Sequence, residues 1–229
     1  FRNSKATEIF YDLVKVSDVV IDNFRPGVLE RLQIDYATLS RINPRIIQCS
    51  VTGFGSEGIY KNYPALDINI QAISGHMAIT GEPGRPPVRV GIPLADMSGG
   101  IYSCKGILAA LFDRERSGKG RRIELSMFDC MLSLLGYMGT MWLTNGELPK
   151  PPGSAHDYTV PWQAFAVKDG YIVVATRQEN FWRKLCEVLE RPGLASDPRF
   201  ASNANRVKNR TTLLPELEAI FLTRTVDDW

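Results

Sequence analysis

An aspartate lies between an apolar segment and a segment rich in glycine. Asp96 follows the sequence VGIPLA, and Ser98-Gly-Gly100 comes two residues after it. An aspartate at the start of a helix is usually its N-cap, which is the plain structural interpretation. The small residues beside this carboxylate would also leave room for a bulky ligand. Asp96 is therefore a candidate nucleophile as well as a candidate cap.

A second candidate site follows a short apolar run. Residues 23–27 have the sequence NFRPG and come directly after the predicted strand 18–21. Ligands of open α/β sheets bind at the carboxyl ends of the strands. Arg25 and Arg31 could contact phosphates, and Phe24 could stack on a base. A strand-to-helix turn with solvated arginines explains the same residues, and the sequence leaves both interpretations open.

Other chemical motifs are weaker. Residues 53–58 match G-x-G-x-x-G, but residues 60–64 have a loop composition where a dinucleotide site needs a helix. His76 and His156 are the only histidines, and neither lies in a nucleophile-elbow motif. We predict that His76 is a loop or core residue. His156 lies in a proline-rich segment and stays a candidate.

Alternating elements must position these residues. Short apolar runs predict strands at 18–21, 45–51 and 122–126. Pro26 is expected at the first position of a helix, and Asp35 at the N-cap of another. The predicted helices are 7–16, 26–32, 35–42, 67–74, 96–116 and 127–143. Such alternation favours a parallel, doubly wound sheet.

The long predicted helix 96–116 is rich in small residues. Glycine lowers helix propensity, so its repeated use in one helix needs another reason. Close approach of a backbone or of a ligand would supply that reason. The small residues are Ser98, Gly99, Gly100, Ser103, Gly106, Ala109 and Ala110.

The composition changes at residues 145–160, where prolines are frequent, and we place a linker there. A larger α/β domain is predicted in 1–144 and a smaller α+β domain in 161–229. In the smaller domain, Lys168-Asp-Gly170 between two β-rich segments predicts a hairpin, and helices are expected at about 179–190 and 205–222. The chain has neither an initiator Met nor a signal-peptide pattern, so we expect an internal piece of a longer protein.

The overall composition excludes several classes of protein. The 229 residues are 44% hydrophobic and 23% charged, as in ordinary globular proteins. A net charge of +2 gives no reason to expect nucleic acid or a membrane surface as partner. The four cysteines are too widely spaced for a zinc site and are expected to be reduced. Three of them lie in apolar runs and are predicted to be core residues: Cys49, Cys104 and Cys130.

Together these segments resemble the class III CoA-transferase (CaiB/BaiF) family. The matching segments occur in family order over nearly the whole chain, at 18–27, 43–47, 53–55, 67–75, 91–96, 106–111, 161–165 and 168–170. The resemblance implies that 1–144 is the central part of a Rossmann-like CoA-binding domain. It also implies that 145–160 contains an active-site flap and that both domains are incomplete at the chain ends.

The resemblance further implies that Asp96 is the catalytic nucleophile. Its carboxylate would attack an acyl-CoA thioester, giving a mixed anhydride and then an aspartyl-CoA thioester that an incoming carboxylate converts back. The coenzyme A thioester is then a substrate, and neither a metal nor a permanently bound cofactor is needed. The implied CoA-binding residues are Phe1, Arg2, Asn23, Phe24, Arg25, Arg31, Pro64, Ala65, Leu66 and Asp67.

Two other functions are compatible with the resemblance. The α-methylacyl-CoA racemases of this family place a histidine directly before the aspartate that corresponds to Asp67. This chain has Leu66 there, which cannot move a proton, and His76 lies in a different motif. A non-catalytic CoA-binding module is the other alternative, but it would not need Asp96 at this position.

The flap segment 154–161 bears on the acceptor. It is bulkier than the glycine-rich flap of some transferases in the family, and His156 could bind an acceptor carboxylate. We therefore expect a small carboxylate such as succinate rather than an oxalate-type acceptor. The resemblance also implies an interlocked homodimer of the full-length protein. A cytoplasmic location is expected, with organellar targeting left open.

Overall fold

The computed structural model of the protein describes residues 4–229. Its elements in chain order are α1 (Ser4–Val16), β1 (Val19–Asp22), α2 (Val28–Leu32), α3 (Tyr36–Ile42), β2 (Ile47–Thr52), α4 (Asp67–Ile73), a 3₁₀ helix (His76–Ala78), α5 (Leu94–Ser117), β3 (Arg122–Ser126), α6 (Met127–Leu134), α7 (Tyr137–Asn145), β4 (Trp162–Val167), β5 (Gly170–Ala175), α8 (Glu179–Val188), α9 (Pro192–Ser196), α10 (Asn203–Lys208) and α11 (Arg210–Phe221). Contacts between these elements divide the chain into two units. The first contains the residues up to Thr80 together with Pro86–Lys150, and the second contains Gly81–Arg85 and Pro151–Trp229.

The first unit is built on a parallel sheet with the strand order β1-β2-β3. Val19 of β1 pairs with Ile47 of β2, and Cys49 of β2 pairs with Ile123 of β3. Since the three strands run in one direction, the segments that follow them leave the sheet at the same edge. The prediction of an α/β fold with a parallel sheet is confirmed.

Helix α5 approaches the sheet through its small residues. A Cβ atom added at Gly99 would lie 3.2 Å from Val51 Cγ1, and one added at Gly106 would lie 3.2 Å from Ile123 Cγ2. Both distances are tighter than ordinary side-chain contacts. The glycines are therefore needed for close packing of the helix backbone against β2 and β3, which is one of the two reasons the sequence suggested.

The core of the first unit lies in clusters rather than in one mass. One cluster contains Val14, Ile34, Leu39 and Ile46, and joins α1, α3 and the segment before β2. Another joins α4, α5 and α6 through Ile70, Ala95, Met127 and Met131. Full burial of such side chains contributes roughly 1.5–3 kcal/mol each. This second cluster fixes the three helices that surround the candidate site.

The second unit has its own core. Strands β4 and β5 form an antiparallel hairpin in which Val167 pairs with Gly170, so Lys168 and Asp169 are the turn that the sequence predicted. The hairpin packs on helices α8 to α11. The buried residues are Val160, Phe165, Val167, Trp182, Cys186, Leu189, Leu194, Phe200, Leu213, Leu217 and Phe221.

Two predicted helix starts and one core position differ from the structure. Pro26 does not begin a helix: Gly27 adopts a φ of 80°, and α2 begins at Val28. The long helix begins at Leu94, two residues before the predicted start. Cys104 is exposed on α5 and does not belong to the core, whereas Cys49 and Cys130 are buried as predicted. All four cysteines are free thiols.

Two predicted helices are each interrupted. The predicted helix 127–143 is divided into α6 and α7, because Gly136 has φ 55° and ψ −129°, which no helix accommodates. The predicted helix 205–222 is divided into α10 and α11 at Asn209, whose φ of −106° and ψ of 23° lie outside the α-helical region. Apolar periodicity continues across both breaks, so the sequence pattern alone did not reveal them.

Candidate active site

A cavity of about 390 Å³ opens in the first unit where the parallel strands end. The segment after β1, the end of β2 and the first residue of α6 after β3 each contribute to its wall. Helices α4 and α5 add the two carboxylates Asp67 and Asp96. The lining residues are Asn23, Phe24, Arg25, Pro26, Thr52, Gly53, Lys61, Tyr63, Pro64, Ala65, Leu66, Asp67, Asp96 and Met127.

Asp96 is the third residue of α5 and is not its N-cap. The cap position is occupied by Pro93, which makes no side-chain hydrogen bond to the helix. The carboxylate of Asp67 serves instead: its Oδ1 accepts from the backbone N–H of Ala95 at 2.7 Å and from that of Asp96 at 3.4 Å. The side chain of Asp96 is thus free of the capping role that its position in the sequence favoured.

The carboxylate of Asp96 lacks stabilising partners. Its side chain is exposed at the cavity, and among residues 4–229 none donates a hydrogen bond to it. Partial burial raises the pKa of Asp96 above its ordinary value, and the negative charge of Asp67 raises it further. A carboxylate in such surroundings is more basic than one held by donors or cations, and it is available to react.

The segment after β1 is fastened to the sheet. The side-chain amide of Asn23 donates to the carbonyl of Val51, and the carboxylate of Asp22 accepts from the backbone N–H of Phe24 at 3.2 Å. These bonds hold Phe24 and Arg25 at the cavity. Phe24 is 43% exposed, and the guanidinium of Arg25 has no ion-pair partner among residues 4–229. An exposed ring beside an unpaired cation suits an aromatic, anionic ligand.

A glycine at the end of β2 brings the loop before α4 to the cavity. A Cβ atom on Gly53 would lie only 2.1 Å from the Cβ of Ala65, so no larger residue fits without moving the loop. This contact places Pro64, Ala65 and Leu66 in the wall. Leu66 is 69% exposed and presents an apolar surface to the cavity.

An adjoining cavity of about 380 Å³ shares part of this wall. Phe24, Arg25, Thr52 and Lys61 line both cavities. Lys61 was not predicted as a site residue, and its ammonium group has no ion-pair partner among the residues described. Its position in the loop after the glycine motif is the only sequence feature that points to it, and a loop composition by itself does not indicate a binding residue. Thr52, Tyr63 and Met127 are further lining residues that the sequence did not indicate.

One predicted CoA-binding residue is not brought to these cavities, and two others cannot be compared with them. Arg31 is exposed on α2 and lines neither of them. Phe1 and Arg2 lie outside the described residues. The other predicted residues, at 23–25 and 64–67, line the cavity together with Asp96.

The two histidines have different surroundings. His76 is buried, its Nδ1 lies 3.0 Å from Ser74 Oγ, and burial lowers its pKa. It is a core polar residue, as predicted. His156 belongs to the second unit, where its Nδ1 accepts a hydrogen bond from the backbone N–H of Tyr158 at 3.1 Å and its ring lies 5.2 Å from that of Trp162. Its role in binding an acceptor stays a prediction.

Residues 4–229 contain no group of three or more His, Cys, Asp or Glu side chains arranged to hold a metal ion. Within the same range, none of the helices combines the length and the apolar character that crossing a membrane requires.

Known proteins resemble this chain along its whole length. The family model of CoA-transferase family III matches residues 1–229. An acetyl-CoA:oxalate CoA-transferase of Acetobacter aceti is 40% identical over 222 residues, which are 96% of this chain and 57% of that protein. A succinate–glutarate CoA-transferase of Agrobacterium fabrum is 36% identical over 93% of this chain and 52% of its own length. The chain thus spans about half the length of the curated relatives it matches.

Solved structures agree with the fold. The crystal structure of a CaiB/BaiF family protein from Brucella suis superposes with a TM-score of 0.87 at 40% sequence identity. The superposition covers 99% of this chain and 60% of the Brucella chain. The likeness extends to both units, since nearly every residue is included.

Proposed function

Because the chain belongs to CoA-transferase family III, we propose that the whole protein transfers coenzyme A from an acyl-CoA to a carboxylate acceptor. The observation that carries the proposal is the carboxylate of Asp96, which lies in the cavity at the strand ends and has neither a hydrogen-bond donor nor an ion-pair partner among residues 4–229. Transfer by a covalent route needs such a group, since a nucleophile bound up in an ion pair is less reactive.

The proposed reaction begins at the thioester carbonyl. One Asp96 oxygen attacks it, the C–S bond breaks, and a mixed anhydride and CoA thiolate result. The thiolate then attacks the aspartyl carbonyl, which releases the donor acid as a carboxylate and leaves an aspartyl-CoA thioester. The acceptor carboxylate attacks the aspartyl carbonyl of that thioester, which releases CoA thiolate and forms a second mixed anhydride. The thiolate then attacks the acceptor-derived carbonyl of this anhydride and gives the new acyl-CoA. Asp96 is regenerated, and no redox partner or ATP is consumed.

The binding of coenzyme A is proposed to use the cations and the ring beside Asp96. Arg25 and Lys61 line both cavities and would pair with phosphate groups, while Phe24 would stack on the base. Asn23 and residues 64–66 shape the wall through their fixed backbone. Arg31, Phe1 and Arg2 stay predictions that rest on the resemblance.

The acceptor is proposed to be a small carboxylate. The names of the relatives include both oxalate and succinate–glutarate enzymes, so the preference against oxalate expected from the flap stays a prediction. His156 is kept as the candidate acceptor-binding residue of the second unit. The resemblance to the family is also what supports a cytoplasmic, interlocked homodimer of the full-length protein.

A labelling experiment tests the proposal. Full-length protein is incubated with acetyl-, succinyl- and glutaryl-CoA, each with and without oxalate, succinate or glutarate, and Asp96-containing peptides are analysed by mass spectrometry. We expect a CoA thioester at Asp96 that an acceptor removes. If no donor labels Asp96 and the Asp96→Asn variant keeps full activity, the proposal is wrong.

Two other outcomes would indicate the alternative functions. Exchange of solvent deuterium at the α-carbon of a branched acyl-CoA would indicate a racemase. Binding of CoA without turnover would indicate a binding module.

A further inference from the structure

Helix α5 begins without a cap of its own. Its first residues are Leu94, Ala95 and Asp96, and Pro93 at the cap position offers no side-chain acceptor. The backbone N–H groups of the second and third helical residues are the ones that an N-cap side chain normally satisfies. Here both donate to Asp67, which is 28 residues before Ala95 and 29 before Asp96 and lies on another helix.

The other oxygen of Asp67 is also engaged. Its Oδ2 accepts a hydrogen bond from Gln71 Nε2 at 2.6 Å, one turn along α4. Gln71 is fully buried, and its Oε1 accepts from the backbone N–H of Val90 at 2.9 Å. Its Nε2 also lies 3.3 Å from the carbonyl of Ile92. The pair of Asp67 and Gln71 therefore joins α4 both to the segment before α5 and to the first turn of α5.

We propose that Asp67 is a positioning residue, whose carboxylate fixes the first turn of α5 and thereby the placement of the Asp96 carboxylate in the cavity. This assignment rests on the proposed function of Asp96 and replaces a direct contact of Asp67 with coenzyme A. Among residues 4–229 both oxygens of the Asp67 carboxylate accept hydrogen bonds from protein groups, namely the amides of Ala95 and Asp96 and the side chain of Gln71. Tight packing of Ala95 and Ile70, both fully buried, keeps the two helices in register.

The charge of Asp67 has a second effect. It is one of the causes that raise the pKa of Asp96, after partial burial. Among residues 4–229, the other charged groups that line the same cavity are Arg25, after β1, and Lys61, in the loop after β2. Met127 of α6 contributes no charge. Removal of the Asp67 charge should therefore lower the pKa of Asp96.

One substitution separates a positioning role of Asp67 from a role in binding coenzyme A. In full-length protein, Asp67→Ala removes the cap and is expected to lower kcat about 100-fold, because small misplacements of a reacting group cost about that much. The KM for acyl-CoA should stay within about two-fold, since no contact with coenzyme A is lost. A raised KM with an unchanged kcat would overturn the proposal and indicate that Asp67 binds coenzyme A.

A double variant tests the hydrogen-bond pair itself. Asp67→Asn keeps an acceptor for the α5 amides but turns an NH₂ group toward the NH₂ group of Gln71. Gln71→Glu alone brings two carboxylates together. The variant with both changes restores the bond between residues 67 and 71 with donor and acceptor exchanged, and its new carboxylate can still accept from Val90, although the donor to the Ile92 carbonyl is lost. We expect each single change to lower kcat and the double variant to recover part of it. A double variant no better than the worse single one would contradict the proposal.

A control variant and a measurement that is independent of turnover complete the experiment. Asp35 caps α3 by accepting from the backbone N–H of Thr38 at 3.1 Å, and Asp35→Ala removes a cap of the same kind away from the cavity. It should leave kcat unchanged. The pH dependence of carbodiimide labelling of Asp96, followed by mass spectrometry, needs no turnover. Its midpoint should move to lower pH in Asp67→Asn.

The labelling and the kinetics distinguish the two hypotheses. Suppose that the midpoint of carbodiimide labelling shifts in Asp67→Asn but no acyl-CoA labels Asp96. The role of Asp67 would then be supported and the proposed function contradicted. Normal labelling by acyl-CoA, with an unshifted midpoint and wild-type kcat in both Asp67 variants, would contradict the role of Asp67 alone.

Discussion

Two carboxylates, one in each unit, differ in their hydrogen-bond partners and in the direction of their pKa shifts. In the first unit, Asp96 has no donor to its oxygens among the residues described, and its pKa is raised by partial burial and by Asp67. In the second unit, Glu179 accepts from Arg206 Nη1 at 2.7 Å and from the backbone N–H of Asn203 at 2.8 Å. Burial alone would raise the pKa of Glu179, but hydrogen bonds from Arg206 and Asn203 outweigh it and lower the pKa.

The cation in the second unit is a structural component. Arg206 is fully buried, its Nε donates to the carbonyl of Val160 at 2.7 Å and its Nη1 also donates to that of Phe200 at 3.0 Å. Its guanidinium lies 4.9 Å from the ring of Trp182. The paired carboxylate of Glu179 thus helps to hold a buried arginine in place, whereas the unpaired carboxylate of Asp96 at its cavity is available for chemistry.

The largest expected effect tests the unpaired carboxylate. Asp96→Asn keeps the shape of the side chain but cannot form the anhydride, so kcat should fall about 10⁴-fold or more. The free energy of unfolding should change by less than about 0.5 kcal/mol, because no hydrogen bond to the carboxylate is lost. Steady-state kinetics and denaturant unfolding measure the two quantities. A destabilised variant with residual activity would mean that Asp96 is structural after all.

The paired region should show the reverse result. Arg206→Ala leaves the carbonyls of Val160 and Phe200 and the carboxylate of Glu179 without their partner, and should destabilise the second unit by about 3–5 kcal/mol. Arg191→Ala is the matched control, since the one hydrogen bond that its exposed side chain makes within residues 4–229 goes to the adjacent Glu190 carbonyl. Urea unfolding followed by tryptophan fluorescence measures both. Equal stability of the two variants would contradict the structural role of Arg206.

A smaller effect is expected at the cations of the cavity. Arg25→Ala and Lys61→Ala should each raise the KM for acyl-CoA about ten-fold, because each would remove a charge-assisted hydrogen bond to phosphate. Arg31→Ala decides between the resemblance, which places Arg31 at coenzyme A, and the geometry, in which it lines neither cavity. Arg41→Ala on α3 is the control, because its exposed side chain lines neither cavity and its Nε donates to the Ala37 carbonyl of its own helix. A larger effect at Arg31 than at Lys61 would favour the resemblance.

The smallest expected effect is a difference between the pH at which activity is lost and the lower pH at which the second unit unfolds. The raised pKa of Asp96 means that its reactive form is lost as pH falls through that raised value. The lowered pKa of Glu179 means that its contribution to stability is complete above its ordinary value, near 4.3, and is lost as pH falls through the lower folded value. On acidification kcat/KM should therefore decline before the second unit unfolds. Activity and circular dichroism against pH check this, and coincident transitions would contradict it.

Much of the fold followed from local rules. The apolar runs, the hairpin residues Lys168 and Asp169 and the cap at Asp35 act over a few residues, and the structure contains the elements they predict. The breaks at Gly136 and Asn209 were missed because apolar periodicity runs across both of them. The exact role of a glycine-rich helix also needed the structure, since only the sheet shows what Gly99 and Gly106 approach.

The candidate site divides in the same way. The sequence by itself singled out Asp96 and the segments 23–27 and 64–67, because their residue types and order carry a family pattern. It placed Asp96 at the helix cap, since a cap is judged from the nearest residues. Tertiary structure decided that Asp67 provides the cap and that Lys61 joins the cavity. The physical reason is that these contacts arise where three parallel strands end together, and local sequence does not record which distant segments meet there.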